Sequence, residues 1–271
     1  MPSSTHLPIQ LTPRDLQILT GLFEARTFTL QQIATLYFDG RYEAAKKRLQ
    51  KLKASGHVRP RERHSFQPTA LFLTKQGFDA VVHLPALAGY PEISWHRFYK
   101  RTQIADSTLL HELAVSDARV QLTLAANLRS DLSLLRFITW PTLIAFEART
   151  ALTRDGLTYR KAVTARPDGF FRLRQTLGDG RTRILSFYLE VDRSTEPQRT
   201  LQAKALAYQD HFRHSGPFRV LFVFPSFQRL AHTRATFETL NGRKPFILTL
   251  SDLLLQTLEC MLPVETPSSS S

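Results

Sequence analysis

Two stretches decide how this chain reads: Arg166-Pro167-Asp168-Gly169-Phe170-Phe171-Arg172-Leu173-Arg174 and Ile184-Leu185-Ser186-Phe187-Tyr188-Leu189-Glu190-Val191-Asp192-Arg193. Both are rich in aromatic and β-branched or aliphatic residues, which suits strands. Gly178-Asp179-Gly180 between them is a hairpin signal. Paired as a hairpin, they bring Asp168, at the start of one strand, and Glu190, at the end of the other, together at one sheet edge. Carboxylate oxygens so placed suit a hard cation such as Mg²⁺. In a chain this basic, a phosphodiester is the anionic substrate such a metal would meet.

Working outward, helical spacing covers residues 107–127. Leu110, Leu113, Val120 and Leu124 recur on one face, and His111 and Glu112 lie in the early turns. A strand is expected at 132–140. Thr195-Glu196-Pro197-Gln198 fits a capping box that opens a helix to about residue 211. Its inward stripe is Leu201, Ala205, Tyr208 and Phe212, with Lys204 flanking the stripe so that its amine can reach the sheet edge. Residues 218–224 are almost wholly apolar, as a buried central strand requires. A helix near 231–240 and a strand at 245–249 close an α-β-β-β-α-β order, a sheet flanked by helices.

That order, with Pro167-Asp168 and Glu190-x-Asp192, is similar to the PD-(D/E)xK nuclease superfamily over roughly residues 104–250. The resemblance implies a restriction-endonuclease-like domain in which Asp168 and Glu190 bind Mg²⁺ or Mn²⁺. It also implies a lysine two residues after the glutamate that assists the attacking water. The metal would polarise a phosphoryl oxygen, and the cation would stabilise the developing charge. Position 192 is aspartate, so that cation is missing. Three readings stay open. Lys204 supplies the cation from the following helix, or Asp192 is a third metal ligand, or the site is inert and the domain is a DNA-binding or assembly scaffold. The candidate catalytic set is therefore Asp168, Glu190, Asp192 and Lys204. Glu112, on the helix before the first strand, is either a further metal ligand or a surface residue. Arg193 either contacts phosphate or pairs with Asp192.

Residues 12–82 read as a helical unit with a hairpin. Thr12-Pro13 is an N-cap followed by proline at the first helical position, and Leu16, Leu19, Leu22 and Phe23 follow at helical spacing. Thr29 caps a short second helix bearing Ile33, Leu36 and Tyr37, and Asp39-Gly40 is a turn. A third helix spans 42–55, with Ala45, Leu49 and Leu52 inward and Gly56 as its stop. Strands at 57–61 and 70–74 flank a polar tip, and a helix begins at 76. This order, with Lys47-Arg48-Leu49, Leu52 and Gly56-His57-Val58, resembles the winged helix-turn-helix superfamily over roughly the first 85 residues. The third helix can then lie in a DNA major groove with its N-terminal residues reaching base edges. Arg41, Tyr42, Lys46, Lys47 and Lys51 are the expected readers, and Arg61, Arg63 and His64 of the wing would meet phosphate or a minor groove. The alternative is a protein-binding module with a solvated basic face.

Composition agrees with a polyanion partner. The 271 residues carry a net charge of +13, and residues 41–63 alone hold nine basic against two acidic side chains. Such charge favours nucleic acid through counterion release. The single cysteine, Cys260, excludes an internal disulfide and a cysteine-based zinc cluster. No apolar run approaches membrane-spanning length, and residues 1–10 lack the pattern of a secretory signal. A cytoplasmic protein is expected. No glycine-rich phosphate loop exists, so no nucleotide cofactor is expected. No histidine pair stands in the context of a rolling-circle relaxase metal site.

The whole arrangement resembles the replication-relaxation proteins of plasmids and other mobile elements. The residues that carry the likeness are Leu11-Thr12-Pro13-Arg14-Asp15, Leu110-His111-Glu112-Leu113, Arg166-Pro167-Asp168-Gly169 and Leu189-Glu190-Val191-Asp192-Arg193-Ser194-Thr195-Glu196-Pro197. The resemblance implies a DNA-binding protein acting in replication, relaxation or DNA processing, on double-stranded DNA; a metal-dependent endonuclease or nickase activity is one of the open readings. A homodimer or replication and mobilisation proteins are the expected further partners. The alternative function is a non-catalytic winged-helix regulator or assembly protein with a degenerate nuclease-like domain. The expected divisions are a winged helix at 1–85, a Pro/Gly/aromatic connector at 86–103, the nuclease-like domain at 104–260 and a disordered tail at 261–271.

Overall fold

The computed structural model describes residues 9–62, 68–139, 146–154 and 157–262. Expectations for Arg63, His64 and Trp140, and for the tail beyond Leu262, lie outside the described residues. The chain forms two compact units, Met1–Val120 and Gln121–Ser271.

The first unit opens with helix α1 (Pro13–Ala25). Thr12 and Asp15 close a reciprocal capping box and Pro13 takes the first position, so two donors that the helix start leaves open are satisfied. Strand β1 (Phe28–Thr29) leads into α2 (Leu30–Tyr37), capped by Thr29 with Gln32. Asp39 and Gly40, both at positive φ, turn the chain into α3 (Tyr42–Ala54). Gly56, at φ +78°, ends it, and the His57 amide donates back to the Leu52 carbonyl. Strands β2 (Val58–Pro60) and β3 (Ala70–Leu73) follow, and the sheet order is β1-β3-β2, antiparallel throughout. Helix α4 (Lys75–Asp79), a 3₁₀ turn at Pro85–Leu87 and α5 (Trp95–Thr102) come next.

Residues 86–103, read from sequence as a connector, carry core. Leu87 and Phe98 join Ile18, Leu22, Phe23, Leu49, Leu52 and Phe78 in one buried cluster. Phe98 stacks on Phe23 with ring centres 5.3 Å apart. Arg101 is fully buried and donates to the Phe23 and Glu24 carbonyls, which lie in the last turn of α1, beyond the reach of the i+4 ladder. Burial, with Arg26 nearby, drives its pKa down to about 9.

Helix α6 (Asp106–Asn127) crosses the unit boundary. Leu109, not the expected Leu110, takes the inward place beside Leu113; Leu110 is exposed. One residue's difference moves a side chain by 100° around a helix, and packing against Ala70, Phe72 and Ile104 selects Leu109.

The second unit holds strands β4 (Leu132–Thr139), β5 (Phe146–Arg154), β6 (Leu157–Ala165), β7 (Gly169–Thr176) and β8 (Thr182–Val191), then α7 (Gln198–Ser215), β9 (Arg219–Phe224), α8 (Phe227–Glu238), β10 (Phe246–Leu250) and α9 (Leu254–Met261). Five strands form one mixed sheet in the order β10-β9-β8-β7-β4. β4, β7 and β8 pair antiparallel, and β9 and β10 add parallel to β8. α7 is thus the crossover between parallel neighbours β8 and β9. Every residue of β9 after Arg219 is buried, as expected of an inner strand.

The hairpin β5–β6 was not anticipated. Its strands pair from Phe146 opposite Ala165 to Arg154 opposite Leu157. Its sequence mixes charged residues with threonines and shows no long apolar alternation. The signal that marks it is Asp155-Gly156, a two-residue hairpin dipeptide. The capping box expected before α7 is not formed. Pro197 is the N-cap and makes no side-chain cap bond, and Gln198, which would have closed the box with Thr195, donates instead to Thr233 Oγ1 at 3.0 Å.

Candidate functional site

Asp168 and Glu190 meet at one end of two inner strands rather than at an edge strand. Gly169 pairs with Leu189, so one more step of the register sets Asp168 opposite Glu190. The Asp168 amide donates to the Leu189 carbonyl at 3.0 Å, and its Oδ2 accepts from the Val191 amide at 2.7 Å. Gly169 lets the strands close here, because a Cβ would lie 3.3 Å from a Leu189 methyl.

Glu190 is 2% exposed. Lys204 Nζ donates to its Oε2 at 2.9 Å, and the Tyr208 hydroxyl donates to its Oε1 at 2.5 Å. Both partners stand one turn apart on α7, a spacing that puts them on one face. Lys204 Nζ also reaches Glu196 Oε1 at 2.9 Å. Burial pushes the Glu190 carboxyl up to about 7, with the charge of Asp168 adding and Lys204 and Tyr208 opposing. Burial alone would lower the Lys204 ammonium, but Glu190, Asp168 and Glu196 together hold it above the usual lysine range. Burial and Glu190 raise the Tyr208 phenol as well. The result is a cluster around the buried Glu190 in which one ammonium lies among three carboxylates.

Asp192 has a different task. Its Oδ2 accepts from Arg229 Nε at 2.5 Å and its Oδ1 from the Ser194 amide at 3.0 Å, and it is nearly fully buried. Arg229 also donates to the Glu196 carbonyl. Asp192 therefore latches the β8 exit to α8, and Ser194 takes a positive φ of 61° in that turn. Arg193 is half-buried beside it. Glu112 belongs to the first unit, where it forms an ion pair with Arg26 at 2.7 Å.

No group of three His, Cys, Asp or Glu among the described residues is arranged to hold a metal ion. Both Glu190 oxygens already accept hydrogen bonds, and Asp192 is spent on Arg229. As arranged, these residues do not fit Mg²⁺ or Mn²⁺, which require carboxylate oxygens open to them.

In the first unit, α3 turns Ala45, Leu49 and Leu52 inward and leaves Arg41, Tyr42, Lys46, Lys47 and Lys51 exposed. Arg41 pairs with Asp39 at 3.0 Å, and Lys46 lies 3.6 Å from Glu43. Lys47 and Lys51, one turn apart, have no ion pair among the described residues. Arg48 is held by Asp15, with Nε 2.7 Å from Oδ1, and so ties α3 to α1. Arg61 turns back toward the chain: it donates to the Ile104 carbonyl at 2.7 Å and to Asp106 at 2.6 Å.

Sequence reasoning took Tyr208 for an apolar stripe residue and did not single out Arg229 at all. A phenol's hydrogen-bonding tip is not visible in a stripe that is read by face alone. The partner of Asp192 is 37 residues distant, which no local spacing reports.

Among the described residues no helix is long and apolar enough to cross a membrane. The fold and clusters define a mixed α/β protein with an exposed basic helix in one unit and a buried carboxylate–lysine cluster in the other. A family model described as replication-relaxation matches residues 19–221, and the chain belongs to that family. The family suggests a role in the replication or relaxation of plasmids or other mobile elements. No curated protein and no solved structure matches the chain.

Proposed function

We propose that this protein binds the double-stranded DNA of a plasmid or other mobile element in the cytoplasm and acts in its replication or relaxation. In this reading residues 1–85 supply a winged helix-turn-helix, and the unit beyond 104 is a nuclease-like domain serving as a DNA-binding or assembly scaffold. The observation that carries it is the outward face of α3, where Lys47 and Lys51 stand exposed and without an ion pair among the described residues. The order α1-β1-α2-α3-β2-β3 supports the winged-helix reading. A major groove about 12 Å wide admits such a helix. Replication or mobilisation proteins, or a second copy of the chain, are the further partners it anticipates.

Binding to labelled duplex, followed by fluorescence anisotropy across a salt series, tests this. Each lost phosphate contact lowers the salt slope by about 1. The Lys47→Ala/Lys51→Ala variant should therefore bind more weakly, with a slope shallower by about 2. An unchanged affinity and slope would remove α3 from the DNA interface.

A second reading, a nuclease acting at Asp168, Glu190 and Lys204, draws support from the α-β-β-β-α-β core around them. There Lys204 is the cation able to stabilise charge on a phosphoryl oxygen. Because Glu190 is closed to a metal as arranged, the scaffold form is favoured. Nicking of supercoiled plasmid in Mg²⁺ or Mn²⁺, lost in both Asp168→Ala and Glu190→Ala, would reverse that preference.

A further inference from the structure

The sheet face bearing Asp168 and Glu190 continues into an open basic surface. Side chains alternate along a strand, so Asp168, Phe170, Arg172, Arg174 and Thr176 share one face of β7. Register sets Arg172 between Arg136 of β4 and Ser186 of β8, and Arg174 between Ser133 and Ile184. The Glu190 end of this face lies under α7, where the Tyr188 and Tyr208 rings pack 5.5 Å apart. The other end is uncovered: Arg172, Arg174, Thr176 and Thr182 are exposed, and Ile184 is 60% exposed.

Arg136 stands directly opposite Arg172. None of the positions paired with Arg172 or Arg174 carries a carboxylate. Arg172 and Arg174 have no ion pair among the described residues. The Arg172 guanidinium lies over the Phe170 ring at 5.6 Å, which holds it along the strand. Two arginines two residues apart on a strand are spaced by about 7 Å. Arg172 and Arg174, exposed side by side along one strand, are complementary to a polyanion of regular charge spacing.

We propose that this face holds the phosphate backbone of a DNA strand, with Arg172 and Arg174 on neighbouring phosphates, running toward the Asp168–Glu190–Lys204 cluster. The proposal rests on the reading that the protein binds DNA, but not on α3. The exposed Ile184 and the Thr176 and Thr182 hydroxyls suit sugar and base edges between the charges.

Full-length protein is titrated against a labelled single strand and a labelled duplex between 50 and 200 mM salt. Arg172→Gln/Arg174→Gln should weaken binding about ten-fold at low salt. It should also make the salt slope shallower by about 1.4 on single strands or about 1.8 on duplex, which tells the two forms apart. Arg172→Lys/Arg174→Lys should keep the slope. Both positions are exposed, so thermal unfolding should match the parent. Unchanged affinity and slope in the glutamine variant overturn the proposal, as does equal displacement of DNA by polyglutamate. If Lys47→Ala/Lys51→Ala alone weakens binding, the α3 reading stands and this one falls; if the arginine pair alone does so, the reverse holds.

Discussion

Replacing Lys204 by methionine removes one charge and keeps most of the side chain's volume. The ammonium lies 2.9 Å from both Glu190 Oε2 and Glu196 Oε1, and Glu190 is 2% exposed. Losing one partner of a buried pair costs about 3–5 kcal/mol, because the charge left behind can neither reach water nor find a counterion. The variant's cost should depend on pH. The Glu190 carboxyl already sits above its ordinary value of 4.5, at about 7, through burial and Asp168. Without the ammonium it rises further. The folded state then keeps a proton that the unfolded chain releases, so stability falls as pH climbs above about 4.5, by at most about 1.4 kcal/mol per pH unit. Near pH 5 the variant should lie close to the parent, because both keep the proton there; the gap opens only above about pH 7, where the parent's carboxyl ionises, and near pH 9 it should approach about 3 kcal/mol. For a chain of this size that is a fall in Tm of about 6–12 °C at the higher pH. Thermal and urea unfolding at the two pH values measure it, and Lys204→Met with Glu190→Gln should recover most of the loss. A cost below about 1 kcal/mol at both pH values would show the pair to be a solvated contact, and the buried-cluster reasoning would fail.

Gly77→Ala should destabilise by about 3 kcal/mol in urea titration, because the added Cβ would lie 2.1 Å from the His57 carbonyl oxygen, which is backbone and cannot swing aside. A loss within about 0.5 kcal/mol would mean that α4 shifts freely. Asp131 is held down to about 2, chiefly by its hydrogen bonds from Arg129, with Gln175 assisting. Its contribution is present above its ordinary 3.8 and is lost as pH falls toward 2. Acid titration should show the parent losing about 1–2 kcal/mol across that window, after allowance for solvent screening, and Asp131→Asn should flatten that part of the curve.

The strand ends at Asp168 and Glu190 were legible because period-two stretches flank a Gly-Asp-Gly turn signal. Lys204 was legible because a helical stripe of Leu201, Ala205 and Tyr208 fixes which way its flank faces. Helix caps at Thr12 and Thr29 were written in a few adjacent residues. What escaped was tertiary. Asp192 meets Arg229 only once α8 is packed, and Arg61 turns toward Asp106 only because the start of α6 is there to receive it. Helix α5 was hidden by its neighbourhood: Pro85, Gly89 and Pro91 suggest a connector, while Phe98 and Arg101 behind them are core.

The closing of α1 has a consequence for synthesis. The Phe23 and Glu24 carbonyls at its end take bonds from Arg101, and Gly21, a turn earlier, takes a further bond from Arg119, donors that lie 78, 77 and 98 residues away along the chain. A ribosome adding about 5–20 residues per second delivers those arginines roughly 5–20 s after the helix itself has been made. Until then the Phe23 and Glu24 carbonyls must take their hydrogen bonds from water, while the Leu22 carbonyl has the Arg26 amide. A nascent chain paused short of residue 101 therefore carries a first helix whose C-terminal end still lacks these side-chain donors.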